Sequence, residues 1–144
     1  VVVGEGPHFW AAPFEIMEEF GGRGMAHYFD VNKKQATKTD MGSATTIGVV
    51  ATNATLTKAE NKRLAVAAHD GLTRAIYPSH TAMDGDLIFG VSTNKKPQKS
   101  SITNTIELGN MAAICMARAI ARGIYSATYS NKDKVPTWKF KYKL

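Results

Sequence analysis

Thr45-Thr46-Ile47-Gly48-Val49-Val50-Ala51-Thr52 is the stretch around which the rest of the chain can be ordered. Branched residues dominate it from Thr46 onward, and their stiff side chains suit a pleated strand, so a short strand is predicted over 46–52. The preceding residues, 31–44, are polar, include Lys33, Lys34 and Lys38, and show no hydrophobic period. They read as an exposed linker. Thr45 thus stands where a linker gives way to a strand.

Downstream of this strand, Thr57 followed by Glu60 has the spacing of a capping box, in which each residue satisfies the other's free backbone N–H. Leu64, Ala68, Leu72 and Ala75 then fall on one helical face until Tyr77-Pro78 ends the helix. A second strand is predicted from about 86 to 93, where Leu87, Phe89 and Val91 alternate with Ile88, Gly90 and Ser92. Both of its faces are small or apolar, which predicts a central strand. After a polar loop at 95–101, Asn104 and Glu107 offer a second capping signal, and Ile106, Ala113, Met116, Ile120 and Ile124 mark a long helix. The order from Thr45 is therefore strand, helix, strand, helix. The tail alternates Trp138, Phe140, Tyr142 and Leu144 with Lys139, Lys141 and Lys143, and reads as a lysine-faced edge strand.

Upstream of the linker, residues 1–24 combine Gly4, Gly6, Pro7 and Pro13 with Gly21-Gly22-Arg23-Gly24, a mostly irregular, turn-rich segment. Val1-Val2-Val3 reads as the inside of a strand, with further sequence expected before it.

The chain has 144 residues, 44% of them hydrophobic and 21% charged, a composition that supports one packed domain. Its most apolar stretch, 111–120, is too short for a membrane span and contains Arg118, so no membrane association is expected. Cys115 is the only cysteine, which excludes an internal disulfide and tilts the expected compartment towards the reducing cytoplasm. Within a predicted helix it reads as a buried structural thiol. The net charge of +6 raises the question of nucleic acid. Lys33, Lys34 and Lys38, then Lys95, Lys96 and Lys99, then Lys139, Lys141 and Lys143 form three separate clusters without zinc-finger spacing or an RNA-binding aromatic signature, so no nucleic-acid partner is expected.

Familiar catalytic signatures are missing. His8, His27, His69, His80 and Cys115 provide no close zinc spacing and no HExxH, so neither metal nor cofactor is expected. Gly-Xaa-Ser-Xaa-Gly is also missing, which removes the nucleophile elbow. A hydroxyl residue at a strand start remains, with Met83-Asp84-Gly85-Asp86 downstream. Period two puts Asp84 and Asp86 on one side, where two carboxylates repel and can hold a cationic group. The same Asp-Gly-Asp also reads as a plain turn before a strand. The residues themselves leave both readings open.

Thr45 to Ala54, taken with Ala68-His69-Asp70-Gly71 and Met83-Asp84-Gly85-Asp86, resembles the L-aminopeptidase/D-esterase family of N-terminal-nucleophile hydrolases. That family includes β-peptidyl aminopeptidases and 6-aminohexanoate-oligomer (nylon-oligomer) hydrolases. His8-Phe9-Trp10-Ala11-Ala12-Pro13-Phe14-Glu15 and Glu19-Phe20-Gly21-Gly22-Arg23-Gly24 resemble the segment before the family's cleavage site. The resemblance implies an αββα four-layer sandwich of the aminopeptidase/ornithine-acetyltransferase type. It also implies a precursor that cuts itself between Ala44 and Thr45, and a catalytic group of Thr45, Asp84 and Asp86. Residues 1–44 would then end the α-subunit region with its linker, and 45–144 would form the β-subunit region, both parts of one domain. The expected partners are a small peptide or linear amide substrate, the upstream part of the precursor, and further copies in a homo-oligomer of processed heterodimers. The Asp pair points to the nylon-oligomer branch. Ala44 departs from the Asn or Gly that commonly precedes the nucleophile, and Ser43 after Gly42 is a rival nucleophile. Two other functions fit less of the chain: acyl transfer of the ornithine acetyltransferase type, whose Ala-Thr-Met-Leu signature is missing, and a catalytically silent basic binding protein.

Overall fold

The structure, a computed structural model, describes residues 1–33, 45–97 and 101–143. It is a mixed α/β arrangement. Two strands, β1 (Ile47–Ala54) and β2 (Leu87–Lys96), pair in parallel and are joined through helix α1 (Lys58–Ala75). A long helix α2 (Ile102–Ser126) and a short helix α3 (Trp138–Tyr142) follow. Parallel strands cannot be joined by a tight turn, so the helical crossover is a geometric necessity.

Helix α1 starts where its sequence predicts. The Thr57 hydroxyl accepts from the Glu60 N–H at 3.2 Å, while the Glu60 carboxylate accepts from the Thr57 N–H at 2.8 Å. Leu64, Ala68, Leu72 and Ala75 are buried. Helix α2 presents Ala112, Ala113, Met116, Ala117 and Ala121 in return. Small residues on both sides let the helices approach closely. A Cβ on Gly71 would lie 2.0 Å from the Ala113 carbonyl oxygen, so only glycine fits there.

The strands alternate as a half-covered sheet must. Val50 and Ile88 point towards the helices and are buried with Leu64, Ala68, Leu72, Ala112 and Met116. The register pairs Ile47 with Leu87, Val49 with Phe89, and Ala51 with Val91 on the other face. Those side chains are apolar and exposed, Ile47 by 67% and Phe89 by 52%. The expectation that β2 is central is not met among the described residues, where β1 is its only sheet neighbour.

A second core joins the N-terminal segment to the helices. Phe9, Ala11 and Phe20 pack with Ala75, Ala117, Ala121 and Trp138. The Glu19 carboxylate bridges to Arg118 of α2, with Nη2 to Oε2 at 3.0 Å. The guanidinium's hydrogen bond holds the Glu19 carboxyl below the usual carboxylate range, against the opposing effect of burial. Val1-Val2-Val3 is no strand: Val2 forms an isolated antiparallel bridge with Phe9.

Three local expectations are corrected. The tail is a helix over Trp138–Tyr142 rather than an edge strand. Helical spacing places Trp138 and Tyr142 on the same side, where Trp138 stacks on Phe9 and touches Tyr142 and Tyr125, and this packing outweighs the period-two pattern. Leu144 lies outside the described residues. The cap of α2 is Ser101, whose hydroxyl accepts from the Asn104 N–H, so the helix begins before the Asn104–Glu107 signal. Cys115 is exposed, since the face that buries Ala112, Ala113 and Met116 turns it outward. No helix among the described residues is long and apolar enough to cross a membrane.

Candidate active site

Parallel pairing brings two strand starts together, because β1 and β2 begin in register at Ile47 and Leu87. The residues just before them, Thr45-Thr46 and Asp84-Gly85-Asp86, therefore become neighbours although about forty positions separate them. The Asp86 carboxylate accepts the Thr46 N–H at 3.0 Å, and the Leu87 N–H donates to the Thr46 carbonyl at 3.0 Å. Thr46 is thus held on both sides. Thr45, one residue earlier, is exposed, and its hydroxyl lies over Gly85: a Cβ on Gly85 would come within 3.1 Å of Thr45 Oγ1. The glycine between the aspartates makes room for the threonine hydroxyl.

The two aspartates do different work. Asp84 closes its own turn, accepting the Thr81 N–H at 2.8 Å on its carboxylate while its backbone N–H donates to the Thr81 carbonyl at 2.9 Å. These two bonds with Thr81 fit the turn reading of Asp-Gly-Asp. Asp86 reaches outward to the other strand, and its side chain is only 2% exposed. A carboxylate so deeply placed needs hydrogen bonds to replace water. Thr46 supplies one to Oδ1, and His80 faces Oδ2 with its ring Nδ1 at 3.2 Å and its backbone N–H at 3.4 Å.

His80 is the site residue that sequence reasoning missed. In the sequence it stands out only as a possible metal ligand, and no linear motif links it to Asp86. Its left-handed backbone, φ 55°, helps fold residues 80–86 back on themselves. Its ring also leans on His69 of α1, with centroids 5.1 Å apart. Ala44 and Ser43, the other residues of the expected cleavage region, lie outside the described residues. A cleft of about 620 Å³ between α1 and α2, lined by Leu56, Arg63 and Ile106 among others, includes none of Thr45, Asp84 or Asp86. The strand starts, where Thr45 meets Gly85 and Thr46 meets Asp86, are the better candidate on chemical grounds.

A hydroxyl resting on a glycine, one residue from a backbone amide held by a buried carboxylate, is an arrangement suited to nucleophilic chemistry. Residues 15–135 match peptidase family S58, and the chain belongs to that family, the L-aminopeptidase/D-esterase family. An uncharacterized aminopeptidase of Mycobacterium tuberculosis is 40% identical over 93 residues, 58% of this chain and 27% of that protein. Another, from Mycobacterium leprae, is 43% identical over 96 residues, covering 58% of this chain and 26% of its own length. The 6-aminohexanoate-oligomer endohydrolase of Paenarthrobacter ureafaciens is 39% identical over 51 residues, 35% of this chain and 14% of that enzyme. The matched stretch spans about a quarter of the mycobacterial relatives.

Proposed function

We propose that this chain is part of a self-cleaving amidohydrolase in which Thr45 is the nucleophile, both for cutting its own precursor and for turnover. The observation that carries this reading is the meeting of the Thr45 hydroxyl with Gly85 and of Thr46 with Asp86 at two paired strand starts. In the precursor, Thr45 Oγ attacks the carbonyl carbon of Ala44. The C–N bond to Thr45 breaks, the nitrogen gains a proton, and the Ala44 acyl group passes to oxygen as an ester. Water hydrolyses that ester, leaving an Ala44 carboxylate and a free Thr45 amine. An α-amine with a pKa of about 7.7 to 8.0 can accept the hydroxyl proton near neutral pH, so no histidine base is required.

In turnover the same oxygen attacks a substrate amide, the amine product leaves with a proton, and water releases the acid from the acyl-enzyme. Asp86 serves by fixing the Thr46 amide and so the residue bonded to it. Asp84 serves by holding the turn that carries Gly85 and Asp86. The substrate class is small peptides or linear amide oligomers, the latter in keeping with the name of the 6-aminohexanoate-oligomer relative.

Residues 1–44 are then the end of one subunit region and 45–144 belong to the next. Contacts across the proposed cut, such as Phe9 with Trp138 and Glu19 with Arg118, support the two parts staying together after it. The exposed apolar face of β1 and β2 supports a second sheet packed against it, which completes a four-layer αββα sandwich. Processed heterodimers then assemble into a homo-oligomer.

Intact-mass analysis of the full-length protein tests this directly. A fragment beginning at Thr45 is expected, and Thr45→Ala should abolish both cleavage and turnover, the latter by about a thousandfold or more. Normal turnover by Thr45→Ala, or a mature protein without that fragment, would overturn the reading. Ser43→Ala should still cut.

A further inference from the structure

We propose that His80 is a positioning residue for this reaction: it grips the Asp86 carboxylate in the orientation from which Asp86 fixes the backbone at the nucleophile. The proposal rests on Thr45 being that nucleophile and adds a residue to its support.

The argument starts from the two oxygens of one side chain. Asp86 Oδ1 accepts the Thr46 N–H, one peptide unit from the proposed nucleophile, so any rotation of the carboxylate displaces or releases Thr46. Rotation is resisted at Oδ2. His80 faces that oxygen twice, through ring Nδ1 and through its own backbone N–H, at 3.2 and 3.4 Å. A grip on Oδ2 fixes the carboxylate plane and therefore the position of Oδ1. Nδ1 carries a proton in the imidazolium and in the Nδ1–H neutral tautomer, so in either of those states the ring presents an N–H near Oδ2. His69 of α1 and Asp86 are titratable groups that face the ring, and His69 leans on it from the helix side.

The conformation of His80 is costly without a return. A non-glycine residue at φ 55° sits in a sparsely populated region, and its ring packs against His69 and faces Asp86. The paired contacts to Asp86 are the return. A residue with a short donor and tolerance of a left-handed backbone could replace histidine, and asparagine has both properties.

Asparagine and aspartate are nearly the same shape and both accept left-handed geometry, but only asparagine offers Asp86 an N–H donor. His80→Asn and His80→Asp in the processed full-length enzyme therefore isolate the contact. With a chromogenic amino-acid anilide as substrate, His80→Asn should keep kcat within about threefold of the parent. His80→Asp should lose about tenfold to a hundredfold in kcat with KM nearly unchanged, the cost of a nucleophile displaced by a fraction of its reach. His80→Gly, which relieves the backbone but removes the ring, should also lose kcat without a lower thermal midpoint. Parental kcat in His80→Asp or His80→Gly would overturn the proposal, as would a loss in His80→Asn equal to that in His80→Asp. Thr45→Ala, assayed in parallel, separates the two levels: if it is active, the nucleophile reading itself fails. If it is inactive while His80→Asp turns over normally, only the role of His80 fails.

Discussion

At the scale of single residues, the closest constraint on the candidate site is the space above Gly85. An added methyl would meet Thr45 Oγ1 at 3.1 Å, tighter than ordinary contact, and the hydroxyl would have to rotate or retreat by a few tenths of an ångström. Gly85 has no left-handed φ to protect, so Gly85→Ala should fold. Its kcat should fall by about tenfold or more while its thermal midpoint stays within a few degrees of the parent, a difference that steady-state kinetics beside calorimetry can read. A parental kcat would mean that the Thr45 hydroxyl does not work from this position. Thr45 and the aspartates came forward as candidates because a hydroxyl at a strand start and an acidic pair before another strand are local patterns, and because the family resemblance singles them out. Their division of labour was not legible in the sequence: Asp84 caps its turn and Asp86 crosses to Thr46, and only the pairing of two strand starts separates these roles. His80 was illegible for the same reason, since its role depends on a backbone reversal between residues 80 and 86.

At the scale of elements, α1 starts where its Thr57–Glu60 box places it, whereas α2 shows the expected apolar face but is capped by Ser101, ahead of its Asn104–Glu107 signal. The tail failed because alternation over 138–144 is short, and the partners of Trp138, Phe9 and Tyr125, come from distant parts of the chain. Those partners belong to the element junction at which Glu19 meets Arg118. The Glu19 carboxyl is held low in the folded protein, so its contribution to stability is fully present above the ordinary glutamate range, near pH 4.5, and is lost as pH falls through the folded value. Glu19→Gln should therefore lower the thermal midpoint most at neutral pH, with the gap to the parent closing below about pH 4. Melting curves across pH 3 to 7 check this, and a gap that widens in acid would reverse the assignment.

At the scale of the whole molecule, the unresolved demand is the open sheet face. Ile47, Val49, Leu87, Phe89 and Val91 form an apolar patch in register on two strands, and such a surface calls for a cover. If a second sheet of the same protein supplies it, replacing Val49 and Phe89 together by arginine in the full-length protein should disrupt its packing and assembly. Size-exclusion chromatography with light scattering should then show smaller or aggregated species. A parental oligomer would show that this face is not a packing surface. The patch was half visible in the sequence: the small and apolar character of both faces of β2 pointed to burial on each side, although the described residues cover only one.

The double hold on Thr46 acts as a ruler. Its N–H is tied to Asp86 and its carbonyl to Leu87, so Thr45, and the chain end that the proposed cleavage would leave there, stands a single residue beyond a fixed mark. One residue inserted between Thr45 and Thr46 would carry the hydroxyl about 3.3 Å further out, well past the roughly 1 Å misplacement at which positioned chemistry already loses a hundredfold. Substitutions within the strand can be tolerated in kind, but the distance from mark to terminus cannot change by even one unit of length.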